Sequence, residues 1–251
     1  MAGGGNFHIP ASHSPCWVKP LDDAGLSMSR QPEQRHTIFK EEGMTNEAKS
    51  INKSLTILIP EGVVSAPILQ TVAQLVGQYD LGLYLSTAQN LRLLDIRDED
   101  EPAIRAALAG VGAELKGPGK FPKPKICVGE SYCNLGLVDT MALSRKIRLT
   151  FKGKEPVKPK FKIAISACPA SCSDALLADI GIKATRAGYE VYAGGKGGPF
   201  PKIGRRIAKG ADDERVLAII ERLVAFHDEK TEKKQRFAKL MEEPDFPFPE
   251  V

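Results

Sequence analysis

Four cysteines in two close pairs are the residues of this chain best suited to chemistry. The pairs are Cys127/Cys133 and Cys168/Cys172, and the fifth cysteine, Cys16, lies far upstream. Four thiolates can bind a structural zinc ion or an iron–sulfur cluster. Structural zinc sites usually place two to four residues between paired ligands, and the first pair here encloses five. The spacing therefore favours a cluster, with zinc or unliganded core cysteines as the alternatives.

The composition is that of an ordinary globular protein and narrows the classes of function. Hydrophobic residues make up 42% of the 251 residues, charged residues 26%, and the formal net charge is +4. This charge is too mild to predict a nucleic-acid partner without a patterned basic face. No apolar run approaches the roughly 20 residues of a membrane span, so no membrane partner is expected. Residues 1–43 lack the features of a signal peptide, so we expect a cytoplasmic, reducing setting that favours metal binding over disulfides.

The elements that must position the cysteines form two predicted units. Residues 51–117 predict strands and helices in the order β-α-β-β-α-β, which is typical of a ferredoxin-like fold. After a linker rich in Pro, Gly and Lys, residues 118–241 predict an α/β domain. In that domain a helix over Leu137–Leu149 follows the first cysteine pair, and a strand over Phe161–Ser166 precedes the second. The predicted fold class is therefore α+β.

The two ends of the chain are predicted to lie outside these units. Residues 1–50 are interpreted as a disordered tail or an artefactual extension, and residues 242–251 as a C-terminal tail. Purine-rich codons for Lys40–Gly43 would resemble a bacterial ribosome-binding site, so we hypothesise that translation starts at Met44. Beyond residue 43 only His227 remains among the histidines, which disfavours histidine-based catalysis.

Three stretches of the sequence resemble motifs of siroheme-dependent sulfite and nitrite reductases. Ile126–Thr140 resembles their first cluster motif, and Ala167–Cys172, leading into Asp179–Ile182, resembles their second. Leu85–Leu93 is similar to a segment of their ferredoxin-like unit. The resemblance covers residues 51–240 and is nearest to NADH-dependent nitrite reductase large subunits and short assimilatory-type sulfite reductases. It implies a ferredoxin-like half-domain (51–117) followed by a siroheme and [4Fe–4S] domain (118–241).

The resemblance also implies the roles of the cysteines. Cys127, Cys133, Cys168 and Cys172 would bind a [4Fe–4S] cluster, and Cys172 would also bridge to the siroheme iron. Such a site reduces sulfite to sulfide or nitrite to ammonia, in each case with six electrons. A thiolate shared by both cofactors shortens the path of each electron.

Cations are expected around an anionic substrate and the siroheme carboxylates. Strand alternation places Lys160 and Lys162 on one face, which is also typical of a solvated strand edge. The resemblance makes them the predicted catalytic lysines. The remaining predicted cofactor-binding residues, besides Cys172, are Asn90, Arg92, Lys123 and Lys196.

One departure from the family pattern bears on turnover. Ala88 stands where the family usually has a substrate-binding arginine after Thr87. Arg92, on the predicted strand face of Ala88, would compensate in part or pair with a siroheme carboxylate. A second family arginine, just before the first cysteine, is replaced by lysine, with Lys123 or Lys125 nearest, which keeps the charge but loses the bidentate fork.

Three functions follow as hypotheses. The first is six-electron reduction of sulfite or nitrite, with electrons from an external donor such as ferredoxin. The first alternative is a non-catalytic siroheme and iron–sulfur protein for electron transfer or sensing, which Ala88 would permit. The further alternative is a zinc-binding structural module held by the four cysteines. A homodimer is also expected, because the chain carries one unit where larger members of the resembled family carry two.

Overall fold

Two β-sheets with separate hydrophobic cores organise the protein. The computed structural model describes residues 53–154, 161–231 and 236–251, which all lie in one compact unit, Ser50–Val251. In chain order the elements are β1 (Leu55–Leu58), α1 (Ala66–Tyr79), β2 (Gly82–Leu85), β3 (Leu91–Leu94), α2 (Glu101–Gly110), β4 (Glu114–Leu115), β5 (Lys125–Ile126), α3 (Thr140–Thr150), β6 (Ile163–Ser166), β7 (Ile180–Thr185), β8 (Gly188–Ala193), β9 (Arg205–Ala211) and α4 (Asp213–Lys230). Short 3₁₀ turns cover Pro60–Gly62, Ala175–Leu177 and Phe237–Glu242.

The first sheet has the strand order β2-β3-β1-β4, and all its pairs are antiparallel. Helices α1 and α2 pack against it through buried side chains at helical spacing, Val72 with Leu75 and Ile104 with Leu108. The predicted β-α-β-β-α-β order is confirmed.

The second sheet is mixed, with the order β5-β6-β7-β8-β9. The pairs β5/β6 and β6/β7 are parallel, and β7/β8 and β8/β9 are antiparallel. Strand β6 is buried at every residue, as expected for a central strand covered on both faces. Helix α3 begins later than predicted because Asp139 is its N-cap and accepts hydrogen bonds from the N–H groups of Met141 and Ala142 at 2.9 and 3.0 Å.

Three features of the second unit differ from the expectations or add to them. Strands β5 and β9 were not predicted, since β5 has two residues and β9 is rich in basic side chains. After α4 the described chain forms the 3₁₀ turn Phe237–Glu242, and residues 232–235 lie outside the described part. The expected C-terminal tail packs on the core, where the Phe246 ring meets that of Phe226 edge-on. No helix among the described residues is long and apolar enough to cross a membrane.

Candidate functional site

Both cysteine pairs begin at one edge of the second sheet. Cys127 directly follows β5, and Cys168 follows β6 by two residues. The two strands are parallel neighbours with Ile126 opposite Ile165, so their carboxyl ends meet at the same edge. The Cys127 N–H donates to the Ile165 carbonyl at 3.2 Å, and the Ala167 N–H donates to Cys127 Sγ at 3.1 Å. Tertiary structure therefore brings together loops that are far apart in the sequence.

The loop that holds Cys127 and Cys133 is folded tightly on itself. A Cβ atom on Gly136 would lie 2.5 Å from the Glu130 Cα, so only glycine fits there. The Leu137 N–H donates to the Ala167 carbonyl at 2.9 Å, which ties this loop to the second one. The loop is thus held against the backbone that leads to Cys168.

The loop that holds Cys168 and Cys172 is closed by a buried pair of hydroxyl groups. Ser166 Oγ and Ser173 Oγ lie 2.6 Å apart, at the start and end of the loop. Between them Ser171 has a φ of 57° and its buried Oγ has no hydrogen-bond partner among the described residues. An unpaired buried hydroxyl inside a cysteine loop is a donor available to a group bound there.

The four cysteines of the two loops differ in their exposure. All four are free, Cys127, Cys133 and Cys168 partly buried and Cys172 exposed. Within residues 53–154, 161–231 and 236–251, no three His, Cys, Asp or Glu side chains are close enough to hold one metal ion. A single ion draws four ligands to one point, whereas each cysteine of a [4Fe–4S] cluster binds a different iron.

A cavity of about 390 Å³ opens beside the second cysteine pair. Its lining is mostly apolar and includes Cys168, with Arg186, from the β7–β8 turn, as a cation. The residues around it are Leu135, Leu137, Cys168, Pro169, Ala170, Thr185 and Arg186.

The predicted lysines lie in different surroundings. Lys162 is exposed directly before β6, and its backbone N–H donates to Asp179 Oδ2 at 3.0 Å. Lys160 lies outside the described residues. Lys196 is partly buried and pairs through its backbone with Lys202, at 2.8 and 2.7 Å. Lys123 Nζ lies 2.8 Å from Glu114 Oε2 with only 14% of its side chain exposed, so its charge is already compensated.

The other predicted contacts of the half-domain are engaged within it. Arg92 donates from Nε and Nη2 to Ser54 Oγ at 3.0 and 2.7 Å. Asn90 Oδ1 accepts from the Ile59 N–H at 3.0 Å, and its Nδ2 donates to the Ala88 carbonyl at 3.1 Å. Ala88 lies in the exposed turn between β2 and β3, and not on the strand that carries Arg92.

Two residues that connect the first sheet's part of the chain to the second were not predicted from the sequence. Gln89 bonds to both backbone groups of Ile126, the residue before Cys127. Glu61 accepts from Ser144 Oγ at 3.0 Å and from Arg148 Nη1 at 2.9 and 3.0 Å, both on α3. Gln89 lies within Leu85–Leu93, the stretch that resembles the family, so its sequence context could have pointed to it. No local sequence pattern points to Glu61.

Two family models match successive parts of the chain. Residues 120–246 match the family model described as the nitrite and sulphite reductase 4Fe-4S domain. Residues 50–111 match the nitrite/sulfite reductase ferredoxin-like half domain.

Individual relatives are nitrite and sulfite reductases. A nitrite reductase [NAD(P)H] of Emericella nidulans is 31% identical over 187 residues, which are 73% of this chain and 17% of that protein. An assimilatory-type sulfite reductase of Nitratidesulfovibrio vulgaris is 26% identical over 73% of this chain and 84% of its own length. The chain spans under a third of the nitrite reductases [NAD(P)H] of Emericella nidulans and Bacillus subtilis. The Mycobacterium tuberculosis NirA protein shares the fold, with a TM-score of 0.61 and 22% identity over 74% of this chain and 37% of its own.

Proposed function

Since the chain belongs to the nitrite and sulphite reductase family, we propose that it reduces sulfite to sulfide or nitrite to ammonia with electrons from an external donor. Membership implies a [4Fe–4S] cluster and siroheme as cofactors. The observation that supports the proposal best is the meeting of both cysteine loops at one edge of the second sheet. When bound, the two cofactors would pass on, one at a time, the six electrons that the external donor supplies.

The cysteine loops are the part of the chain that would hold these groups. Cys127, Cys133, Cys168 and Cys172 would be the cluster ligands. Cys172 is the exposed thiol of the four, which suits a bridge to a second group outside the loops. The Ala167 N–H that donates to Cys127 Sγ stabilises a thiolate, and such hydrogen bonds tune the reduction potential of a cluster.

The lysines before β6 would bind the anion and deliver protons. The exposed ammonium group of Lys162 can bind substrate oxygens and donate hydrogen bonds, and we assign the same role to Lys160. Lys162 is held at its backbone by Asp179, so its position relative to β6 is defined. The exposed turn at Ala88 offers no guanidinium group, and Arg92 is bonded to Ser54. Anion binding therefore rests mainly on the lysines.

The partners follow from the same proposal. An external donor such as ferredoxin supplies the electrons, and the thiol chemistry suits the cytoplasm. We also infer a homodimer in which Lys160 and Lys162 of one subunit face the siroheme bound by Cys172 of the partner subunit. The exposed side chains of Leu83 and Leu85 on the edge strand β2 support self-association, since apolar sheet edges tend to be covered. A monomer with full cofactor content and turnover in sedimentation and activity measurements would refute the dimer.

The test is analysis of the anaerobically purified chain. We expect about five iron, four from the cluster and one from siroheme, and about four acid-labile sulfide per chain, with a siroheme spectrum that changes with sulfite or nitrite under reducing conditions. Cys133→Ser should lose the cluster, whereas the matched Cys16→Ser should keep it, because Cys16 is not among the assigned ligands. Reduced methyl viologen should drive consumption of one of the anions, and Lys162→Met should slow it. Zinc in place of iron and sulfide would refute the proposal.

A second function is favoured by one observation, the alanine at position 88 in the exposed turn. A protein that binds both cofactors and has lost turnover would transfer or sense electrons. A complete siroheme spectrum with no viologen-driven consumption of either anion would establish this alternative.

A further inference from the structure

Gln89 occupies a strained position in the turn that joins β2 to β3. Its φ is 60°, in the left-handed region that residues other than glycine rarely adopt. The turn is closed by the Gln89 N–H, which donates to the Ser86 carbonyl at 2.9 Å, and by the Ser86 N–H, which donates to the Asn90 carbonyl at 2.9 Å. Strain of this kind persists where the surrounding contacts require it. The contacts of the side chain show what requires it here.

The Gln89 carboxamide pairs with the backbone of Ile126 as a neighbouring strand would. Its Nε2 donates to the Ile126 carbonyl at 2.7 Å, and its Oε1 accepts from the Ile126 N–H at 2.9 Å. Strand β5 is at the edge of the second sheet. Its only neighbour among the described strands of that sheet is β6, and the Cys127 N–H, directly after β5, donates to the Ile165 carbonyl of β6. Ile126 is 2% exposed, so without Gln89 two of its backbone groups would be left unpaired.

The turn is also anchored from the opposite side. Asn90 Oδ1 accepts from the Ile59 N–H at the end of β1. Gly62, with a φ of 71°, lies beside the carboxamide, since a Cβ atom there would meet Gln89 Nε2 at 3.5 Å. The turn therefore connects the end of β1 to the residue that precedes the first cysteine.

We propose that Gln89 is a positioning residue that fixes Cys127 relative to the turn Thr87–Ala88. This inference rests on the proposed function, because Cys127 is taken as a cluster ligand. Loss of the carboxamide lets β5 shift, and a shift of β5 alters the hydrogen bond from the Ala167 N–H to Cys127 Sγ. Because hydrogen bonds to ligand sulfur tune a cluster, the reduction potential changes even when the chain stays folded.

The test compares Gln89→Ala and Gln89→Met with Gln78→Ala in the full chain. Gln89→Met keeps the length of the side chain and loses both hydrogen bonds, and Gln78 is an exposed glutamine on α1. Amide hydrogen exchange at Ile126 in the cofactor-free chain should become roughly tenfold faster in both Gln89 variants and stay unchanged in Gln78→Ala. In the anaerobically loaded protein, the cluster midpoint potential and the EPR spectrum should shift in the Gln89 variants alone, with iron content retained.

The outcomes separate this inference from the proposed function. A wild-type chain that binds no iron or sulfide refutes both. A loaded wild type whose Gln89 variants keep the same potential, EPR spectrum and Ile126 exchange refutes the positioning role alone. Faster exchange with an unchanged potential also overturns it, because the contact would then be structural only.

Discussion

Replacement of Gly181 by alanine should disrupt the packing behind the second cysteine loop. Gly181 lies in β7 beside the 3₁₀ turn that follows Cys172, and a Cβ atom there would be 1.9 Å from the Ala175 carbonyl oxygen. Real Cβ contacts essentially never fall below 3.0 Å, so the strand and the turn would have to separate by about 1.1 Å (3.0 − 1.9). Both residues are buried, and the obstructing atom belongs to the backbone, which cannot rotate away.

The free energy of unfolding should fall by about 3 kcal/mol in Gly181→Ala, the upper end of the usual cost of overpacking. This is a large part of a total stability of about 5–15 kcal/mol. Gly77→Ala is the matched control. Gly77 is exposed on α1, and a Cβ atom there would meet nothing within 4 Å. Alanine is the better helix former, so this variant should gain about 0.5–1 kcal/mol.

Urea unfolding followed by circular dichroism measures both changes on the cofactor-free chain. The same chemical substitution should thus act with opposite signs at the two sites. The loaded Gly181→Ala protein should also contain less iron than wild type, since the turn that follows Cys172 is displaced. A Gly181→Ala protein within about 0.5 kcal/mol of wild type would refute the packing argument.

Three further predictions concern single side chains. Glu61→Ala should lower the free energy of unfolding by about 1–2 kcal/mol, because it removes the contacts to α3, whereas the exposed Glu99→Ala should change it by under about 0.5 kcal/mol in the same urea titration. Burial raises the pKa of Asp179 above 3.8, although Arg236 opposes the shift, so the folded state binds this proton more tightly than the unfolded chain. The protonated carboxyl group therefore contributes stability below pH 3.8, the ordinary pKa of aspartate, and this contribution is lost as the pH rises through the raised pKa. The free energy of unfolding of wild type, relative to that of Asp179→Asn, should fall with rising pH. A difference between the two proteins that stays constant with pH would contradict this. Lys123→Met should leave siroheme content unchanged in the visible spectrum, because its ammonium group already pairs with Glu114, and a loss of siroheme would restore it as a cofactor contact.

Local features of the structure followed from the sequence alone. The β-α-β-β-α-β order of the first unit could be predicted because apolar periodicity depends on residues within one helical turn or two strand positions. The hairpin of β7 and β8 turns at Arg186–Gly188, where the turn chemistry is likewise local. The cysteine spacing with its flanking residues identified the family, which the matching family models confirm.

Tertiary structure alone determined which residues that are distant in the sequence contact each other. The sequence predicts Lys123, Arg92 and Asn90 as cofactor contacts, and only the structure shows that they also contact Glu114, Ser54 and the backbone of Ile59 and Ala88. Gln89 and Ile126 lie 37 residues apart, and strand β5 is too short to leave a periodic pattern. A contact at that separation depends on how two cores pack against each other, so it leaves no trace in a window of neighbouring residues. The cysteines could be proposed as ligands from their residue type, their spacing and the resemblance of their flanking residues, whereas the alignment of their loops at one sheet edge required the parallel pairing of β5 with β6.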